Sequence, residues 1–153
     1  MTIDKPSLIR IQQLAYWTAF KEFMNSKNSP VKCSYVLPQY WVDIRIGLSG
    51  FWLSAKVSSL KPIISVDFRF KTLTSKAIYC AFFSDKEAIE SEFGSALEWN
   101  ELPEGKESFL TVTKEKADFR NEQDWENQFT WLAEKLEKMD IVFRKRVCKL
   151  DVK

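Results

Sequence analysis

Between Tyr40 and Phe70 the chain alternates apolar and polar side chains in three successive runs, and a period of two marks each run as a strand with one buried face. The predicted strands are Tyr40 to Ile46, Phe51 to Ser58 and Ile63 to Phe70, separated by Gly47 to Gly50 and by Ser59 to Pro62. Tyr40, Val42, Ile44 and Ile46 share a face with Phe51, Leu53, Ala55 and Val57 and with Ile64, Val66, Phe68 and Phe70. That face belongs to the core, and the opposite one carries two tryptophans among charged residues.

The flanking segments change period. Pro6 and Ser7 open a helix reaching Ser26, with Leu8, Ile11, Ala15, Ala19 and Phe23 at steps of three and four and further aromatics at Tyr16, Trp17 and Phe20, a wide apolar stripe. Asn28, Ser29 and Pro30 end it, and the stretch to Pro38 reads as a loop. From Ser75 to Phe93 the positions Ile78, Phe82, Ile89 and Phe93 return to helical spacing, and Gly94 stands where a left-handed cap is expected. Ser84 and Glu87 have capping-box spacing, so one bent helix or two short ones both fit. Ala96 to Leu102 and Ser108 to Thr113 read as a hairpin joined through Pro103, Glu104 and Gly105. Asn121 is the expected N-cap of the last helix, with Glu122 and Asp124 in its first turn and Arg144, Lys145, Arg146 and Lys149 near its end, as the helix dipole prefers. Its stripe, Trp125, Phe129, Leu132, Leu136, Met139 and Phe143, suits packing on a sheet and is long enough to serve a dimer. The expected fold is a single α+β domain over residues 1–153. It has a largely antiparallel five-stranded sheet in the order helix, three strands, helix, two strands, helix, packed by the first and last helices.

Composition narrows the chemistry. With 153 residues, 45% hydrophobic and 14% aromatic, the chain can bury one sizeable core. Twenty-three basic against twenty-one acidic residues leave +2, so nucleic acid or an anionic membrane would have to be met by a local patch. The absence of histidine removes the commonest general base and metal ligand. Cys33, Cys80 and Cys148 are odd in number and widely spaced, so they read as reduced thiols, neither a zinc site nor a catalytic nucleophile. No signal-peptide core or membrane-span-length apolar run is present, which predicts a cytoplasmic protein with no membrane partner. No cofactor, metal site or catalytic residue is expected, and four glycines form no phosphate-cradling loop.

The order and spacing of several motifs resemble a family. The helix with Leu14, Tyr16, Trp17 and Phe20 is followed by the Trp41 strand leading to Gly47, Ser49, Gly50, Phe51, Leu53, Ser54 and Ala55. After these come Lys86, Glu87, Ile89 and Glu90, then Leu97, Glu98, Trp99, Leu102 and Pro103, and finally Trp125, Trp131, Leu136 and Phe143. Together they resemble the bacterial and archaeal domain of unknown function numbered 4268, over almost the whole chain. In that family the domain often follows a restriction-endonuclease-like region, which implies a link to nucleic acid handling or defence. The resemblance names no catalytic residue.

The polar face of the three strands holds the candidate site. Pairing Ile46 with Phe51 across the turn aligns three rows, Arg45–Trp52–Arg69, Asp43–Ser54–Asp67 and Trp41–Lys56–Ser65. A tryptophan between two arginines offers a stacking surface flanked by positive charge, suited to a base and its phosphates; the same residues also serve as cross-strand neighbours. Asp43 and Asp67 stand roughly 9–10 Å apart across two strand spacings, wide for a two-metal site. Helix, three strands, helix, strand is also the core order of the restriction-endonuclease-like fold, and Asp67-Phe68-Arg69 resembles its acidic-x-Lys motif. The second strand, however, has Ser54 and Lys56 where that fold places an aspartate. Arginine is also too firmly protonated to replace the lysine, and surface ion pairs account for the same four charges. Glu98 and Glu101 fall on opposite strand faces, and Arg144, Lys145 and Arg146 read as a helix end or a phosphate patch.

The reading is a non-enzymatic binding or assembly module acting through Trp41, Asp43, Arg45, Trp52, Ser54, Lys56, Asp67 and Arg69, with nucleic acid or a nucleic-acid enzyme as partner. A divergent metal-dependent nuclease and a homodimeric structural protein are the alternatives.

Overall fold

A computed structural model of the chain describes residues 7–33, 35–102 and 105–150. Pro6, expected at the first helix's opening, and Pro103 and Glu104, expected in the last hairpin turn, lie outside the described residues. The elements are α1 (Leu8–Ser26), β1 (Trp41–Leu48), β2 (Phe51–Val57), β3 (Ile63–Lys71), α2 (Ser75–Ser84), α3 (Lys86–Phe93), β4 (Glu98–Glu101), β5 (Glu107–Glu115), a 3-10 turn (Glu122–Asp124) and α4 (Trp125–Cys148). The strands form one antiparallel sheet ordered β1-β2-β3-β5-β4, so the expected α+β architecture and element order are observed. Of the two alternatives for the middle helix, two short ones form. Asp85 (φ −106, ψ 17) interrupts the α conformation, and the Ser84 hydroxyl donates to the Ala81 carbonyl, so no capping box is made. Gly94 closes α3 in the left-handed region as expected.

The last helix lies across the apolar side of the sheet. Phe129, Leu132, Leu136, Met139 and Phe143 are buried, and the Phe143 ring stacks on Phe68 of β3 at 4.3 Å between centroids and 7° between planes. Its N-terminus differs from expectation: Asn121 precedes the 3-10 turn and makes no side-chain cap bond.

The first helix starts at Ser7, whose hydroxyl accepts the Arg10 amide, and stops where Asn28 takes φ 55. Its buried side is a correction. Gln13, Tyr16, Trp17, Phe20 and Met24 face inward, while Leu8 and Ile11 of the expected stripe are 70% and 51% exposed. The helix is apolar around most of its circumference, so spacing alone fits two opposite faces, and the arc with the larger rings gains more from burial. Tyr16 meets Trp125 and Phe129 edge-on at 5.4 and 5.0 Å. Its hydroxyl donates to Gln128 Oε1 at 2.9 Å, and Gln128 Nε2 donates to the Asp118 carbonyl at 2.9 Å. Burial, with the nearby Asp124 charge adding to it, holds the phenol far above its usual range. Burial also pushes the Cys33 thiol up to about 11, against the pull of Lys21, so this thiol stays protonated.

The β1–β2 turn differs in detail. Leu48, not Ile46, pairs with Phe51 across a two-residue turn, Ser49 and Gly50, and the extra residues Ile46 and Gly47 form a bulge. Gly47 (φ +76) has open space where a side chain would begin, whereas a Cβ on Gly50 (φ +84) would lie 2.8 Å from Thr72 Cγ2 and 3.1 Å from the Lys71 carbonyl. Gly50→Ala is therefore expected to cost about 2–4 kcal/mol from backbone strain plus overpacking, and Gly47→Ala about 1–2 kcal/mol from strain alone. Urea unfolding of the two variants checks the order, and equal losses would contradict it.

Candidate functional site

The β1–β2 bulge leaves the rest of the hairpin in its expected register. Arg45–Trp52–Arg69, Asp43–Ser54–Asp67 and Trp41–Lys56–Ser65 are cross-strand rows. The fourth strand in space extends them, with Phe109 beside Arg69, Thr111 beside Asp67 and Thr113 beside Ser65. Side chains alternate along each strand, so these all stand on the side of the sheet away from α4. No described helix covers that side: Asp43 and Arg45 are exposed, and Trp41, Trp52, Lys56 and Arg69 are half-buried.

The centre of the face is an ion network around a fully buried carboxylate. Asp67 Oδ2 accepts Lys56 Nζ at 2.9 Å and Arg69 Nη1 at 2.6 Å, while Oδ1 accepts the Thr111 hydroxyl at 2.7 Å. Arg69 reaches on to Glu107 Oε1 at 2.7 Å and lies over the Phe109 ring, 4.2 Å from its centroid. Burial works against the charged guanidinium, but the bonds to Glu107 and Asp67 outweigh it and hold Arg69 above its ordinary range. Ser54, also buried, donates its hydroxyl to the Val42 carbonyl.

Two expectations are corrected by this geometry. Trp52 is not stacked between two arginines: the Arg69 guanidinium turns to Phe109 and Glu107, and no cation stands over the Trp52 ring among the described residues. Of the four charges expected to form surface ion pairs, Asp67 and Arg69 pair, joined by Lys56, whereas Asp43 and Arg45 carry no ion pair among the described residues. The network gives the Asp67-Phe68-Arg69 stretch a structural part, with both carboxylate oxygens occupied. Among the described residues no three side chains of the metal-ligating types gather.

Above the network lies a depression of about 290 Å³ walled by Tyr40, Trp41, Trp52 and Lys56, with Ser54 in its lining. A second hollow, about 400 Å³ and mostly apolar, adjoins it across Trp52 and is bordered by Arg45, Gly47, Leu48 and Phe51. Sequence reasoning missed Glu107, Phe109 and Thr111, which complete the network. Their odd-numbered alternation against Leu110 was legible, but β5's place beside β3 was not.

The basic run at the end of α4 is engaged. Arg144 pairs with Asp140 at 2.8 Å, Arg146 with Glu92 at 2.7 Å, and Lys145 with Glu92. The two arms tying Glu92 fasten α3 to α4, and their bonds hold the Glu92 carboxyl below its usual range. Glu98 and Glu101 sit opposite Thr111 and Ser108, on opposite strand faces as expected. No helix among the described residues is long and apolar enough to cross a membrane.

No curated protein matches the chain. A solved chain in the "Structure of the HopA1-SchA Chaperone-Effector Complex" is similar at 10% identity with a TM-score of 0.40, over 90% of this chain and 99% of that one. Such a likeness is too loose to define a shared fold. The family model described as Domain of unknown function (DUF4268) matches residues 12–147, from the first helix to the last turn of α4, and the chain belongs to that family.

Proposed function

We propose that the chain is a non-enzymatic binding module whose working surface is the helix-free side of the sheet, and that its partner is a protein. The carrying observation is how charge is distributed there. Lys56 and Arg69, the cations nearest the tryptophan-walled depression, are spent on Asp67 and Glu107. A phosphate backbone gains its affinity from uncommitted cations and the counterions they release. Here the uncommitted Arg45 is neighboured by Asp43, which is exposed as well. A near-neutral face with two half-buried tryptophans at a shallow groove has instead the make-up of a protein contact, in which a few aromatic anchors carry most of the energy. The partner class implied by the family resemblance, a nucleic-acid enzyme, is compatible with that.

The test places a photo-activated amino acid at position 52 in the source cells, with Ile141 on the outer side of α4 as control position. A single protein adduct at 52 but not at 141 is expected. The identified partner, once purified, should bind Trp52→Ala at least tenfold more weakly than the parent, the loss of one anchor of about 2 kcal/mol. Nucleic acid in the adduct, or salt-sensitive binding of a single-stranded oligonucleotide that Trp52→Ala abolishes, would replace this reading with the nucleic acid one. Equal labelling at both positions would remove the face from consideration.

A further inference from the structure

The free edge of β1 carries its own complement. Val57 N–H donates to the Tyr40 carbonyl at 2.8 Å, so the antiparallel alternation turns the backbone of Val42 and Ile44 toward β2 and that of Trp41, Asp43 and Arg45 outward. The Gln39 side chain caps the outward Trp41 carbonyl at 3.1 Å. Among the described residues, nothing is hydrogen-bonded to the outward groups of Asp43 and Arg45. Their side chains are exposed and without ion pairs.

We infer that this edge pairs with the same edge of a second copy, antiparallel about a two-fold axis at Ile44. In that register Asp43 of each copy faces Arg45 of the other, and both are outward-turned residues, so each pair exchanges two backbone hydrogen bonds and sets opposite charges side by side. Sliding the strands by two residues either way puts Asp43 opposite Asp43 or Arg45 opposite Arg45 on the axis, like charges in direct contact. Among these three registers the charges select the one centred on Ile44. It also brings Trp41 opposite Gly47 of the second copy, where nothing lies within 4 Å of the missing side chain and the apolar hollow of about 400 Å³ begins. Each copy offers a ring at one end of β1 and a space at the other, as an isologous contact requires. The opposite edge lacks this property: β4 spans Glu98–Glu101 with a carboxylate at each end. An axis perpendicular to the sheet keeps the helices on one side, so two sheets join and the helix-free faces run on as one surface. The inference is independent of the ligand proposed for that surface.

Sedimentation velocity over a concentration series tests it with the full chain. The parent protein should dimerise, less strongly as salt rises. Asp43→Arg or Arg45→Asp alone turns two attractive pairs into two repulsive ones and should weaken the dimer by roughly tenfold or more. The double variant Asp43→Arg/Arg45→Asp restores opposite charges and should recover it. Both positions are exposed, so all three variants should keep the parental circular dichroism. A parent that stays monomeric throughout, in which case the two charges merely guard an edge against pairing, would overturn the proposal. So would single variants that dimerise like the parent, or a double variant no better than the singles.

Discussion

Asp67→Ala is expected to lower the free energy of unfolding by about 3–5 kcal/mol, because it leaves two half-buried cations without their shared counter-charge. Lys56 and Arg69 are 25% and 19% exposed at their side chains and Asp67 is sealed. The loss is therefore that of a buried pair rather than of a surface bridge, and it should persist at high salt. Thr111 would also lose its acceptor. Replacing the buried centre with apolar residues of similar volume, Lys56→Met, Asp67→Leu, Arg69→Met and Thr111→Val, should cost much less than Asp67→Ala alone, since the one charge left unpaired, Glu107, is partly exposed to solvent. Urea unfolding at neutral pH measures both variants. A loss below about 1 kcal/mol for Asp67→Ala would mean the carboxylate does not organise this face. The result also bears on function, because a network that positions Lys56 and Arg69 as structural members withdraws them from any ligand.

The middle of the sheet was legible because one face is oily: slipping any of β1, β2 or β3 by one residue would turn Ile44, Leu53 or Phe68 into solvent, so few registers remain. That is why the rows through Trp52 and Ser54 stand as expected even though the adjoining turn carries an unforeseen bulge at Ile46 and Gly47. The first helix was not legible to the same degree. Leu8, Ile11 and Ala15 recur at helical spacing as Gln13, Tyr16 and Phe20 do, and what the buried arc packs against, Trp125, Phe129 and the Gln128 acceptor of Tyr16, lies more than a hundred residues away. The same holds for Asp67. Its neighbours in sequence suggested a nuclease-like motif or a surface pair, whereas Lys56 reaches it diagonally from β2, and Thr111 and the Arg69–Glu107–Phe109 continuation exist only once β5 lies against β3. What the period of two conveys is which side of a strand a residue occupies; long-range pairing decides which arc of a helix is buried and whether a charge is free.

Phe143→Ala should be as damaging as losing Asp67, and by a different route. The residue after Asp67 on β3 points to the other face, where Phe68 stacks on Phe143, and Phe143 also meets Phe82 of α2 edge-on at 5.8 Å. Truncating a fully buried ring here removes the transfer free energy and leaves a cavity among residues held by three elements, about 3–5 kcal/mol, part of it the aromatic pairing that aliphatic burial does not reproduce. Against a typical total of about 5–15 kcal/mol the variant would be close to unfolding. Phe143→Leu, which refills most of the space, should lose about 1–2 kcal/mol, and Ile141→Ala, 59% exposed on the same helix, less than about 0.5 kcal/mol. Urea midpoints at unchanged slope give all three. Near-equal losses at positions 141 and 143 would mean that α4 is held by its ion pairs to α3 and not by the ring stack. Because the helix docks on the side of the sheet away from Trp41 and Trp52, whatever Phe143→Leu costs in stability, its folded fraction should bind at Trp52 as the parent does.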